Sequence, residues 1–183
     1  MKNAVKMILV LVVVGIFSGG VLVAVYNYAS PLIEENEAKA LDEAIYRVLP
    51  EAESYNKIEK EGVTLYEGLD GRGQVAGYAF KASGFGYQGV IDIIAAADTE
   101  FKKLKGMEVL ESSETPGLGA EIMNEPFKKQ FRGLSVLPDI TFTKDKVTRD
   151  NEIQAITGAT ISTRAVVEIL NKEIDCLRRA LGK

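Results

Sequence analysis

The segment Asn151-Glu152-Ile153-Gln154-Ala155-Ile156-Thr157-Gly158-Ala159-Thr160-Ile161 sets two hydroxyls and a glycine directly ahead of a long stretch whose apolar residues recur at helical spacing. The first N–H groups of a helix lack intrahelical partners and carry the positive end of its dipole. Such a start holds an anion, phosphate above all, without help from a lysine. Thr160 adds a hydroxyl at that place, and Thr157, Gly158 and Ala159 form the approach to it. On local residues alone the commoner reading of the same four is a plain helix cap, since Thr and Gly are both favoured there.

A second stretch, Glu114-Thr115-Pro116-Gly117-Leu118-Gly119, has Pro and then Gly at the central positions of a type II turn, and Gly119 adds another site without a Cβ. A loop of this kind lets a flat ring lie against backbone; simple punctuation between elements is its commoner use. The run Gly84-Phe85-Gly86-Tyr87-Gln88-Gly89 precedes a strand instead of following one, so it lacks the context of a dinucleotide fingerprint and reads as a turn.

Composition removes whole classes of chemistry. The 183 residues include no histidine, which excludes Ser-His-Asp and Cys-His catalysis, His-ligated zinc and His-ligated haem. Cys176 is the one thiol, so neither an internal disulfide nor a four-cysteine cluster can form within the chain. The 26 acidic residues show no spacing that suggests catalytic carboxylate pairs, and no metal site is expected. Redox chemistry here would have to run on an organic cofactor.

The elements that must position these residues begin with an anchor. No charge occurs from residue 7 to 33, and Ile8 to Phe17 is apolar on every face. About 20 such residues at about 1.5 Å each cross a hydrocarbon core, so residues 7–29 are expected to span the cell (inner) membrane once. Tyr26 and Tyr28 suit the interface, and the length favours a retained anchor over a cleaved signal peptide. Lys2 and Lys6 precede the span while Glu34, Glu35 and Glu37 follow it, which puts residues 1–6 in the cytoplasm and the remainder outside. Without Lys2 and Lys6 the outer part has 20 of the 22 basic residues against 26 acidic ones, a balance that argues against nucleic acid as a partner.

Residues 30–50 read as a stalk helix with Leu41, Ala44, Ile45, Val48 and Leu49 on one stripe, stopped by Pro50. Residues 51–183 then form one outer domain. Strand character shows at residues 63–66, 74–80, 89–96, 105–110 and 140–143, with a hairpin signal at Asp70-Gly71, and short helices at 120–124 and 126–131. From Thr160 to Leu181 the positions Ala165, Val166, Ile169, Leu170, Ile174, Leu177 and Leu181 predict a final helix. The expected class is α+β: a single transmembrane helix, then a domain with a mainly antiparallel sheet and flanking helices.

Gly86-Tyr87-Gln88-Gly89, the Glu114 to Gly119 stretch, residues 127–131 and Thr157-Gly158-Ala159-Thr160 follow one another in that order beyond one N-terminal span. On these motifs the sequence resembles the family of membrane-anchored domains that carry covalently bound FMN. Within it the sequence is similar specifically to the G subunits of the Rnf electron-transport complex, which are related to the C subunits of the sodium-translocating NADH:quinone oxidoreductase. The resemblance implies FMN joined through its phosphate to Thr160 by a separate flavin transferase, with Thr157, Gly158 and Ala159 at the phosphate end. It also implies that Glu114, Thr115, Pro116, Gly117, Leu118 and Gly119 border the isoalloxazine, with Thr115 and Leu118 touching it. Gln154 stands where the transferase's target motif usually has Asp. The implied role is that of a redox component, not catalytic alone, in a complex that couples electron transfer between ferredoxin and NAD to translocation of Na⁺ or H⁺. Its implied partners are the membrane-embedded D subunit, which carries a flavin, the A and E subunits, and membrane lipid. Two alternatives stay open at this point: a membrane-anchored flavoprotein of another respiratory or extracellular electron-transfer chain, and a non-redox outward-facing binding module in which Thr160 only caps a helix.

Overall fold

The computed structural model describes residues 2–60 and 63–182, in two units, Met1–Ala40 and Leu41–Lys183. The first helix, α1, runs Lys2–Val48 with Pro31 inside it. The expected span and stalk are thus one continuous helix. Pro31 removes a single backbone donor, and the Glu- and Ala-rich sequence beyond it has high helix propensity. In the first unit this helix contains an 18-residue window of mean hydropathy 2.9, none of it buried against protein, which makes it long and apolar enough to cross a membrane.

The second unit is built on a five-stranded antiparallel meander, β1 Ser54–Lys60, β2 Val63–Leu69, β3 Val75–Phe85, β4 Val90–Ala97 and β5 Leu104–Ser112, in spatial order 1-2-3-4-5. The short helix α2, Glu125–Lys128, follows a 3-10 turn at Gly119–Met123 and leads into another at Lys129–Phe131. A separate parallel pair joins β6, Thr141–Thr143, to β7, Glu152–Gln154. The chain then enters α3, Thr160–Leu181, whose start matches the sequence expectation to the residue.

Each face of the sheet has its own cover. On one, Val166, Ile169, Leu170, Ile174 and Leu177 of α3 join Leu65, Phe80, Ile91, Ile93 and the aromatic rings of Phe101, Phe127 and Phe131 in the larger core. On the other, Ala44, Ile45, Val48 and Leu49 at the end of α1 close over Tyr66, Ala79, Ile94 and Ala96. Covering each such aliphatic side chain contributes about 1.5–3 kcal/mol relative to leaving it in water. This double cover explains why β4 reads Ile-Asp-Ile-Ile-Ala-Ala-Ala instead of alternating: its odd and even positions are both interior.

Three details differ from the sequence reading. Strand β1 gives no sequence signal because Ser-Tyr-Asn-Lys-Ile-Glu-Lys is a polar edge strand with hardly a buried position. Strand β7 is only three residues long and lies inside the hydroxyl-rich approach to α3. Strand β3 continues to Phe85, so the glycine run 84–89 is the end of a strand and its hairpin, closed by the Gly86 N–H donating to the Gly89 carbonyl at 2.7 Å.

Candidate functional site

Three segments that lie far apart in sequence meet at one end of the sheet: the hairpin turn 86–89, the loop 113–119 and the first turn of α3. Close backbone approach makes the meeting possible. A Cβ on Gly84 would fall 2.5 Å from Ile169 Cγ1, so the bare backbone of β3 lets α3 lie directly on it and brings the helix start to the hairpin.

Each loop turns as its sequence demands. The Leu118 N–H donates to the Thr115 carbonyl at 3.2 Å, and Gly117 takes φ +73°, the left-handed value a type II turn needs after Pro116. The approach to α3 repeats the device: the Ala159 N–H donates to the Ile156 carbonyl at 3.0 Å, with Gly158 at φ +83°. Thr163 secures this second turn from inside. Its hydroxyl donates to the Ala159 carbonyl at 3.1 Å and accepts from the Ile156 N–H at 3.2 Å.

Glu114 joins all three segments. Its side chain is buried, and Oε1 accepts from the N–H groups of Tyr87 at 2.6 Å and Gln88 at 3.1 Å. The Ser162 hydroxyl, in the first turn of α3, donates to Oε2 at 2.6 Å. Gly119 passes so close that a Cβ there would stand 2.8 Å from Ser162 Oγ and press on the Glu114 carboxylate as well.

Between these segments lies a cavity of about 400 Å³ lined by Tyr87, Glu114, Thr115, Leu118, Gly119, Gly158, Ala159, Thr160, Ile161 and Ser162. Its size falls in the about 300–1,000 Å³ range of small-molecule sites. The helix start beside it is open. The cap position is held by Ala159, and among the described residues no side chain caps the helix's first N–H groups. Thr157 and Thr160 are therefore not caps, and the donors of the first turn remain available to an anion. Glu114 supplies the one formal charge in the lining, which among the described residues contains no lysine or arginine. Arg164 lies one turn along α3, and its guanidinium stacks over Phe142 at 5.7 Å from the ring centre.

Of the ten residues nominated from sequence, Thr160, Gly158, Ala159, Glu114, Thr115, Leu118 and Gly119 line this cavity. Thr157, Pro116 and Gly117 do not; they are exposed and shape the two turns that form its walls. Tyr87, Ile161 and Ser162 line it without having been nominated, although Tyr87 falls in the Gly86 to Gly89 motif and Ser162 is a second hydroxyl on the same helical turn as Thr160. Gln154 is outside the lining: its N–H donates to Gln130 Oε1 at 2.7 Å and its carbonyl accepts from Gln130 Nε2 at 3.2 Å, while its own side chain faces solvent. Cys176, on α3, is half-buried with a free thiol.

The residues present suit a flavin mononucleotide: an uncapped helix start for a phosphate, a hydroxyl beside it, and glycine-walled space leading away from it. A family model described as the FMN-binding domain matches residues 86–175, a span that opens at the hairpin turn and closes within α3. Fold and site together define an FMN-binding domain carried on an N-terminal apolar helix. The G subunit of the ion-translocating oxidoreductase complex of Methanosarcina acetivorans is 32% identical over 182 residues, covering 95% of this chain and 94% of its own. The G subunit of the proton-translocating ferredoxin:NAD⁺ oxidoreductase complex of Clostridium ljungdahlii is 29% identical over 158 residues, covering 86% and 83%. The crystal structure of the C subunit of the Na⁺-translocating NADH-quinone reductase from Parabacteroides distasonis superposes with a TM-score of 0.54 at 25% identity, over 60% of this chain and 58% of that one. The chain belongs to the family of G subunits of ion-translocating oxidoreductase complexes.

Proposed function

We propose that this chain is a one-electron relay in a membrane complex that couples electron transfer between reduced ferredoxin and NAD to translocation of Na⁺ or H⁺. In this reading FMN is held by a phosphoester to Thr160, formed by a flavin transferase. Bound flavin supplies chemistry that no side chain here can, accepting and giving electrons singly or in pairs. The protein's part is to bind, orient and shield.

The observation that carries the reading is the position of Thr160: a hydroxyl at the uncapped start of a 22-residue helix, on the wall of a cavity that Glu114, Thr115, Leu118 and Gly119 of the loop after β5 also line. The electrostatics of the cavity favour a tether. The helix start attracts phosphate, an effect of typically about 0.3–1 kcal/mol, but no cation in the lining assists it and Glu114 opposes it. Charge alone would hold a dianionic phosphate weakly, and an ester bond removes that weakness. Thr157 and Gly158 set the turn that presents Thr160, while Thr115, Leu118 and Gly119, which line the cavity, would border the ring. Pro116 and Gly117 shape that border from behind.

The domain divisions belong to the same proposal: residues 1–6 cytoplasmic, 7–29 crossing the inner membrane, 30–50 a stalk, and 51–183 an extracytoplasmic flavin domain. The positive charges of Lys2 and Lys6 ahead of the span support that orientation. Within the complex the relay would meet the membrane-embedded D subunit with its flavin and the A and E subunits, with lipid around the anchor. The test uses the purified native complex. Reduced ferredoxin should drive NAD reduction, and a denaturing gel should show flavin fluorescence in the band of this chain. Complex carrying Thr160→Ala should lose both. Full turnover by that variant would overturn the relay role.

A further inference from the structure

The buried carboxylate of Glu114 takes no visible part in holding a phosphate, yet it is the most heavily bonded side chain of the cavity wall. Both oxygens act as acceptors, from two N–H groups of the hairpin turn and from the Ser162 hydroxyl of α3. Gly86 and Gly119 are the residues that leave room for it; a Cβ at either would press on the carboxylate. A side chain needed only to tie three segments together could be neutral. Here the tie carries a full charge into a wall that has no other.

We propose that Glu114 is a positioning residue that also sets the reduction potential of the bound flavin, and that Ser162 moderates it. This rests on the FMN reading above and goes beyond it. An electron passed to the ring from a reduced donor adds negative charge there until a proton follows or the electron moves on to an oxidised acceptor. A fixed carboxylate in the same low-dielectric wall opposes that added charge, which lowers the potential and suits a relay operating next to strong reductants. The hydroxyl dipole of Ser162 points its hydrogen at Oε2 and offsets part of the carboxylate's field.

Two near-isosteric variants separate charge from structure. In Glu114→Gln the amide oxygen can still accept from Tyr87 and Gln88, and the amide nitrogen can donate to Ser162 Oγ, so all three ties survive without the charge. In Ser162→Ala the charge survives and loses its donor, at no cost in helix propensity. Full-length protein, produced with its flavin transferase and purified in detergent, is titrated by spectroelectrochemistry while intact mass counts the attached FMN. Glu114→Gln should keep the FMN mass and move the midpoint to more positive potential. Ser162→Ala should keep the mass and move it to more negative potential. A merely structural role would shift both in the same direction or neither. An unchanged midpoint in flavin-loaded Glu114→Gln, or shifts of the same sign, overturns the proposal. Should Glu114→Gln fail to fold, Ser162→Ala decides alone: a negative shift supports it, and no shift or a positive one refutes it. A wild-type protein that gains no FMN mass marks the separate failure of the flavin reading itself.

Discussion

The cover that α1 lays on the central sheet and the end of the sheet where α3 begins are built differently. Where the end of α1 closes over β2, β3 and β4, side chains make the contact: Ile45, Leu49 and Ile94 are fully buried, and Tyr46, Tyr55 and Tyr66 stack edge to face in a row beside them. Where α3 meets the hairpin and the loop after β5, backbone makes it: glycines at 84, 86 and 119 bring main chain close to its neighbours, and the helix start is left without a cap. The first face gives stability and no opening. At the end where α3 begins, the second gives up a cap, worth about 1 kcal/mol at an ordinary helix, and gains a cavity with free donors, while the larger core of the same face packs by side chains further along. The cavity is confined to one end of the sheet, and the larger core on that face and the α1 cover on the other hold the fold between them.

If the site is confined to that end of the sheet, substitutions there and under α1 should separate cleanly. The largest contrast is at Thr160. Thr160→Ala should take attached FMN from full occupancy to none, while the unfolding free energy stays within about 0.5 kcal/mol, because the change removes a half-buried hydroxyl that does not cap its helix. Intact mass and thermal melts of the same sample check both halves. On the opposite face, Leu49→Ala opens a void in a fully buried site and should cost about 2–5 kcal/mol, yet the folded fraction should still accept FMN. Gly119→Ala lies between the two. The added methyl meets Glu114 and Ser162, so a loss of about 1–3 kcal/mol should accompany impaired flavin attachment.

The smallest expected effect is a pH dependence confined to the packed face. The Tyr55 hydroxyl donates to the Asp42 carboxylate, and this bond, with burial and the negative charge, pushes its pKa from 10.0 up to about 12. The fold thus favours the neutral phenol. Its contribution is complete below pH 10.0 and is lost as pH rises through about 12. A modest extra alkaline destabilisation should therefore appear in wild type and vanish in Asp42→Ala. Denaturant melts from about pH 9 to about pH 12 would show it, and identical curves for the two proteins would rule it out.

The same division governs what could be read from sequence. Side-chain packing announces itself through periodicity: the stripe Leu41, Ala44, Ile45, Val48, Leu49 and the apolar run of β4 predict their elements without help. Turn chemistry is legible too, because Pro116-Gly117 and Thr157-Gly158 name their conformations, and both glycines adopt the positive φ expected of them. Contacts between distant backbone segments leave no such trace. Nothing in the linear order tells that Glu114 bonds to Ser162, 48 residues away, or that Tyr87 joins the same wall. The polar edge strand β1 is silent because an edge needs no apolar alternation. Whether Thr157-Gly158-Ala159-Thr160 caps the helix is undecidable from residue types; the geometry answers that half of the question, since Ala159 occupies the cap position and no side chain caps the helix.

The claim on which the functional reading depends is the bond at Thr160, and peptide mapping of native protein tests it most directly. Protein isolated from its own membranes should yield a peptide spanning residues 155–164 heavier by one FMN less one water, with fragment ions placing the addition on Thr160. An unmodified peptide at full yield, or the addition on another residue, would contradict it.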